Sequence, residues 1–507
     1  KVTREHGVAL YIHYSGVWDS VAVRQHPEWA RIGPNFLPDK DMTSTYGSYV
    51  DDLLIPQLKE LVDTYDLDGV WVDGECWAVR PDFSPAARAA FQQATGRTAV
   101  PEKAGAPGWP DLLASQRQQF ESYVTHYVEA LYTHAPAFQL TSNWMHSARM
   151  PLPVRAPLDF LSGDYTPGEA VNSARLEGRR FAAVREAQRI NWDLMAWGFN
   201  FDPQARGERS LKPAIQLMQE ASILLGQGGG YQIYFKPTRA GWIDEPTVDV
   251  AAEVGAFCRE RQAVSHGAET VPQVALLLSE TAHFDLLDQQ GALYSPRPLK
   301  PLEGVLHALL ELHYSVDVLT EEQLLGEQGR IAEYPVTVVP EWHVLGTGIV
   351  DRLVEYVRRG GRLLVIGAAT AGLFKDYLSV RFDGEAGDLS AKSVQASLSG
   401  KRPMLAWTGT PWQAVALAGD SEQVRTVGRR FEQFNLRDEG EIASTLTRAG
   451  GGAIGAIYGP LGSAHYQYHH PATRTFVGEM MAMLFPEPVV EIDGPSSIDV
   501  SVRRKDD

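Results

Sequence analysis

Apolar positions along this chain fall into two alternating rhythms, short runs that fit extended strands and longer stretches with helical spacing. From Gly7 the sequence Gly-Val-Ala-Leu-Tyr-Ile-His-Tyr-Ser reads as a buried strand that ends in a turn around Gly16 and Trp18. An irregular stretch rich in Pro, Trp and Gly follows. Then Leu53, Leu54, Leu58, Leu61 and Val62 fall on one helical face, which predicts an amphipathic helix packed on a sheet. The next strand is Asp68-Gly-Val-Trp-Val-Asp-Gly, followed by helical patterns over Ser84–Thr95 and Asp111–His134 and by the strand Phe138-Gln-Leu-Thr-Ser-Asn-Trp. The alternation continues through Leu158-Asp-Phe-Leu-Ser-Gly-Asp, a helix near Val171–Ala187, a strand over Asn191–Asn200, a helix over Lys212–Leu225 and a strand over Gly229–Lys236.

Six strands alternating with helices through short connections require right-handed crossovers and a parallel sheet, open or closed into a barrel. Polar and aromatic residues gather just after the strand ends, where barrel enzymes keep their active sites. They are Tyr14-Ser15, Asp73-Gly-Glu75-Cys-Trp77, Asn143-Trp144-Met-His146, Gly163-Asp164-Tyr165, Trp197-Gly-Phe-Asn200 and Lys236-Pro-Thr-Arg239. The expected fold class is therefore α/β, a TIM-like (β/α)8 barrel over 1–265. Six of its eight strands are legible and match the last six; the first two units are absent from the chain or unrecognised.

A second alternating region starts at Val274-Ala-Leu-Leu-Leu-Ser. It runs through a helix over Pro301–His313, Ser315-Val-Asp-Val-Leu, Val336-Thr-Val-Val-Pro, a helix over Thr347–Arg359 and Arg362-Leu-Leu-Val-Ile-Gly. This pattern predicts a smaller, open, doubly wound Rossmann-like domain over 266–490. Its later part, from about Lys375, is richer in Gly, Ser and charge, and the sheet is expected to resume around Ala453–Tyr458. The closing Ile498-Asp-Val-Ser-Val-Arg-Arg alternates like an edge strand, the start of a truncated β domain over 491–507.

At 507 residues the chain exceeds what one hydrophobic core usually organises, so two or three domains are expected, and its 44% hydrophobic and 21% charged residues suffice for full cores. A formal charge of −17 with no basic stripe argues against nucleic acid and anionic membrane surfaces as partners. No apolar run approaches the ~20 residues of a membrane span. Two cysteines, Cys76 and Cys258, make no disulfide framework, which favours a reducing, cytoplasmic setting. No signal peptide is visible, although the chain opens on Lys1 at what reads as the end of a helix, the pattern of a sequence entered part-way.

The chemistry-bearing candidates are carboxylates. Asp73 and Glu75 end one strand with the same side-chain parity as Trp71, so if one faces the barrel mouth the other can too. Asp164 ends another strand. Glycoside cleavage needs two such groups, about 5–5.5 Å apart for retention of anomeric configuration and about 6.5–9.5 Å for inversion. Each residue also has a plainer reading: Asp73-Gly as a turn, Glu75 as a solvated loop group, Asp164 as a helix cap. Glu169 reads as a helix-start residue. Trp18, Trp77, Trp144 and Trp197 suit the apolar faces of sugar rings, and His13, Asn143, His146 and Asn200 suit hydroxyls. Taken singly, a tryptophan or strand histidine belongs more often to a core; the clustering carries the functional reading. His13, His26 and His146 show no zinc-type spacing, and Gly226-Gln-Gly-Gly-Gly230 precedes its strand and so is no phosphate loop. No metal or cofactor is expected.

The run from Gly-Val-Ala-Leu-Tyr-Ile-His-Tyr-Ser through His26-Pro-Glu-Trp29 and Pro56-Gln-Leu-Lys-Glu-Leu to Leu67-Asp-Gly-Val-Trp-Val-Asp73-Gly resembles the middle of the α-L-fucosidase barrels of glycoside hydrolase family 29 and related family 151. That resemblance implies a nucleophilic role for Asp73 and leaves Glu75 and Asp164 as rivals for acid/base. The region from about Val271 to Leu484 resembles the glutamine-amidotransferase-like trimerisation domain of family 42 β-galactosidases. This implies subunit contacts, as a trimer or dimer, without amidotransferase chemistry. The implied function is an exo-acting retaining glycoside hydrolase acting on a glycoside or oligosaccharide, with α-L-fucosides leading. Rivals are a β-galactosidase-like hexosidase and a non-catalytic carbohydrate-binding barrel. The Asp-Gly-Glu-Cys-Trp sequence departs from the usual fucosidase pattern.

Overall fold

The computed structural model describes residues 2–74, 80–144, 147–201, 209–386, 392–396, 404–430 and 436–505. Its first half contains the six anticipated strands, β1 (Tyr11–Ser15), β2 (Gly69–Asp73), β3 (Gln139–Ser142), β4 (Phe160–Leu161), β5 (Asn191–Trp197) and β6 (Gly230–Tyr234). They pair in chain order and all in parallel. β1 registers His13 on Trp71, β2 registers Trp71 on Thr141, and an Asn143–Ser162 bridge joins β3 to β4. β5 then pairs with both β4 and β6. Among the described residues neither β1 nor β6 has a strand on its outer edge, so the six form an arc rather than a closed ring.

Period-two alternation sorts the side chains of this arc. Val70, Val72, Leu140, Leu161 and Leu194 face outward and are fully or almost fully buried beneath the helices. These include α1 (Ile55–Thr64), α2 (Trp109–His134), α3 (Ala170–Gln188), α4 (Ala214–Gly226) and α5 (Glu245–Ser265). Tyr11, His13, Trp71, Asp73, Gln139, Thr141, Asn143, Ser162 and Asp164 face inward. Two departures from expectation have local causes. The strand that reads as Asn191–Asn200 stops at Trp197, because Gly198 lies under the Phe235 ring, where a Cβ would come within 2.3 Å of Cε1; Phe199–Phe201 instead forms a hairpin with Arg209–Leu211. The Pro/Trp/Gly-rich stretch is ordered as a helix over Ser20–Gln25, capped by the Asp19 carboxylate, and a hairpin of Ala30–Ile32 with Pro38–Thr43.

The second half is one nine-stranded sheet. β7 (Val274–Leu278), β8 (Val316–Thr320), β9 (Val336–Val339) and β10 (Arg362–Ile366) are followed by β11 (Lys392–Ala396), β12 (Met404–Gly409), β13 (Ser421–Arg430), β14 (Leu436–Ala449) and β15 (Gly452–Ile457), in spatial order β8-β7-β9-β10-β15-β14-β13-β11-β12. The first five in that order are parallel and the rest antiparallel. The parallel part is the expected doubly wound core. The antiparallel extension was not legible, because β11, β13 and β14 lack the continuous apolar runs of β7 or β10.

The halves meet where α3 covers the edge strand β8. Fully buried Arg179 donates to the Val316 carbonyl at 3.0 Å and Arg180 to that of Val318 at 3.2 Å. An exposed strand edge invites unwanted pairing; here two guanidinium groups take its carbonyls. The closing segment docks along the same seam, with Asp499 accepting from Arg179 at 2.8 Å and Arg503–Arg504 pairing antiparallel with Glu269–Thr270.

Candidate active site

Asp73 is the last residue of β2, and its orientation follows from parity with Trp71. Its Oδ2 lies 3.1 Å from His13 Nε2 on the neighbouring strand, and its Oδ1 accepts from Asn143 Nδ2 at 2.8 Å. The same Asn143 nitrogen lies 3.3 Å from Asp164 Oδ2. One amide therefore bridges two carboxyl groups.

The two carboxyls sit in opposite electrostatic settings. Burial pulls Asp73 upward, but hydrogen bonds from His13 and Asn143, the His13 charge and the Gly74 backbone N–H outweigh it and hold the carboxyl below the usual range. Asp164 is buried and pushed up to about 7, first by desolvation and then by the Asp73 charge, against smaller opposing contributions from Asn143, Trp197 and His13. Among the described residues its Oδ1 makes no hydrogen bond of normal geometry. Asp73, with 36% of its side chain exposed, is thus an ionised group near pH 7, whereas Asp164 keeps its proton well above the ordinary carboxylate range and gives it up only around pH 7.

The supports reach down into the arc. The His13 ring stacks on Trp71 at 5.3 Å between centroids, and the Asp73 hydrogen bond raises the pKa of the imidazole. Trp71 Nε1 donates to Ser162 Oγ at 2.7 Å, and Ser162 in turn donates to Asp193, a buried carboxyl pushed up to about 6 by desolvation. Beside Asp164, the Tyr165 hydroxyl donates to Glu220 at 2.6 Å, and Glu220 is paired at 2.8 Å with Lys212, both fully buried. This polar scaffold of Trp71, Ser162, Asp193 and Glu220 escaped sequence reasoning. Only the unusual run of polar residues at inward positions of apolar strands signalled it.

Aromatic walls flank the pair. Trp18, 37% exposed, lies against Gly74, where a Cβ would meet its Cδ1 at 2.4 Å, and Arg80 sits 5.3 Å from the ring centroid. Trp197 is half-buried and clusters with Phe199 and Tyr234 at 5.5 and 6.1 Å. Trp144, expected as a sugar platform, is corrected: strand parity that turns Asn143 inward turns Trp144 outward, where it is buried against Phe120 at 5.0 Å. Asn200 lies exposed on the Phe199–Phe201 hairpin, paired with Ser210, and among the described residues makes no hydrogen bond to either carboxyl. Glu75, Trp77 and His146 lie outside the described residues. Glu169 ends the short 3-10 turn Pro167–Glu169 that leads into α3.

Set beside solved structures, the chain's fold is shared with sugar-cleaving enzymes. An α-L-fucosidase, isoenzyme 2 from Paenibacillus thiaminolyticus, superposes with a TM-score of 0.74 at 18% identity, covering 96% of this chain and 73% of its own. A cold-adapted β-galactosidase from Rahnella sp. R3 gives 0.71 at 14% identity, covering 99% and 82%. A family 42 β-galactosidase from G. stearothermophilus gives 0.68 at 15%, covering 99% and 81%. Both halves of the chain thus have counterparts within single known proteins. No protein-family model matches the sequence, and no functionally curated protein is similar to it in sequence.

Proposed function

We propose that the chain is an exo-acting, retaining glycoside hydrolase in which Asp73 attacks the anomeric carbon and Asp164 protonates the leaving oxygen. One observation carries this reading: two carboxyls share one Asn143 amide and have their proton affinities pushed in opposite directions, the division into nucleophile and acid that a retaining pair needs. His13 and Asn143 hold Asp73 ionised in the line of attack. Once the leaving group departs, Asp164 is a carboxylate and takes the proton of the water that hydrolyses the glycosyl ester. Trp18 and Trp197 supply apolar faces for the sugar ring. Glu75, the other expected acid/base candidate, lies outside the described residues; the Asn143 bridge and the raised proton affinity favour Asp164 for the role.

α-L-Fucosides are the leading substrates, supported by the Trp-Val-Asp-Gly strand and by the fold shared with a fucosidase over nearly the whole chain. A β-galactosidase-like specificity is the second reading, favoured by the β-galactosidases that match 99% of the chain, second domain included. By the same likeness, the second domain is proposed to mediate a homotrimer or homodimer. A panel of nitrophenyl glycosides decides the sugar. Asp73→Asn is expected to fold normally and to lose turnover on whichever glycoside the parent cleaves; normal turnover in this variant would remove the proposed nucleophile.

A further inference from the structure

Away from the inner face of the arc, helices α6 (Lys300–Glu311) and α7 (Leu461–Tyr468) of the second domain cross at unusually short range. Glycine sits on both sides of the crossing: a Cβ on Gly304 would fall 1.9 Å from the Gly462 carbonyl oxygen, and one on Gly462 would fall 2.5 Å from that of Pro301. Only hydrogen at these positions allows the approach. It brings Glu311, at the end of α6, against His465 on α7 and His469 just beyond it, one helical turn apart on the same face.

Glu311 Oε1 lies 3.3 Å from His465 Nε2 and 3.1 Å from His469 Nδ1, and the three ligand-type atoms all lie within 4.8 Å of one another. In a tetrahedral zinc site with bonds near 2.0 Å, adjacent ligand atoms are separated by about 3.3 Å. The outer hydrogen bonds also fit. His465 Nδ1 lies 2.9 Å from Thr473 Oγ1, whose own hydroxyl donates to the His470 carbonyl at 2.7 Å. Thr473 is therefore the acceptor at Nδ1, and Nε2 is the ring nitrogen that faces Glu311 and is free to bind a cation in place of its proton. Arg474 holds the other carboxylate oxygen at 2.9 Å, leaving Oε1 for a shared partner. A further buried imidazole, His307, stacks on His469 at 5.2 Å, and among the described residues neither of its ring nitrogens is hydrogen-bonded. Glu311 and His469 line a cavity of about 990 Å³, which gives access from solvent.

We infer that Glu311, His465 and His469 form a binding site for a zinc-class divalent cation, independent of the proposed glycosidase centre. Two imidazoles and a carboxylate leave a fourth position for water, a ligand or His307 after a rotamer change. His465 and His469 have His-x-x-x-His spacing, but their carboxylate partner Glu311 is 154 residues away from His465, which hides the set in the sequence.

The test uses the untagged full chain, stripped with a chelator and titrated with Zn²⁺ by calorimetry and with Co²⁺ by visible absorption. We expect one tight Zn²⁺ per chain and the intense d–d bands of a four- or five-coordinate Co²⁺. His469→Ala and Glu311→Gln are each expected to lose at least a hundredfold in affinity, and Thr473→Val about ten- to a hundredfold. Far-UV circular dichroism checks the fold of each, and His469, exposed beyond the helix end, is the variant least burdened by packing. Zn²⁺ held no more tightly by the parent than by His469→Ala, or only weak octahedral Co²⁺ bands, would overturn the site and leave an ion-paired knot of histidine, glutamate and arginine.

Discussion

At the residue scale, Asp73 and Asp164 are the same side chain put to opposite uses by their surroundings. Asp73 accepts from two donors and keeps its charge; Asp164 is desolvated, faces that charge and keeps its proton up to about pH 7. The sign of the pH dependence follows. kcat/KM should fall as pH rises through about 7, where Asp164 loses its proton, and fall again in acid as Asp73 is protonated, below the ordinary carboxylate range. Asp164→Asn should remove the alkaline limb and should slow glycosides with poor leaving groups far more than nitrophenyl glycosides, which need no proton; equal losses on both would deny it the acid role. Asn143→Ala strips a donor from both carboxyls, and kcat/KM is expected to drop about 10²-fold, with the acid limb moved to higher pH. Asp73 was legible because it ends an apolar strand in a Trp-x-Asp-Gly run. The role of Asn143 was not, since nothing in Asn-Trp tells a sugar-binding amide from one that bridges two acids on other strands.

At the scale of elements, alternation alone located every strand of the arc and the parallel strands of the second sheet, because buried parallel strands are nearly continuous apolar runs. It failed for the antiparallel strands β13 and β14, which carry charged residues along both faces. Glycines in the arc report contacts the pattern does not show. At the entry to β6, Gly229 lies flat against the Trp192 ring, and a Cβ there would meet three ring atoms at 2.3–2.4 Å. Gly229→Ala is expected to destabilise the protein by about 1–3 kcal/mol, read from urea unfolding, because Trp192 is buried between β5 and the helices and has no room to retreat.

For the whole molecule, the seam between the halves decides whether the arc and the nine-stranded sheet behave as one unit. Arg179 is fully buried there, and its charge is met by Asp499 in the closing segment, far away in sequence. Asp499→Ala would leave that guanidinium without its counter-ion, at an expected cost of about 3 kcal/mol. Unfolding followed by tryptophan fluorescence and by circular dichroism should then separate into two transitions; coincident transitions at the parent's midpoint would show that the seam contributes little. Composition and length indicated more than one core. That one buried helix of the first caps the sheet edge of the second was not legible, because Arg179-Arg180 reads in sequence like any exposed basic pair.

The claim on which the rest turns is that Asp73 forms a covalent bond to the sugar. The most direct measurement treats the enzyme with the 2-deoxy-2-fluoro glycosyl fluoride of whichever sugar the nitrophenyl panel shows it to cleave, followed by peptide mass spectrometry. The expected result is a single glycosyl adduct on the peptide that contains Asp73, absent in Asp73→Asn. Turnover with the adduct on another carboxylate, or hydrolysis with inversion of configuration, would contradict it.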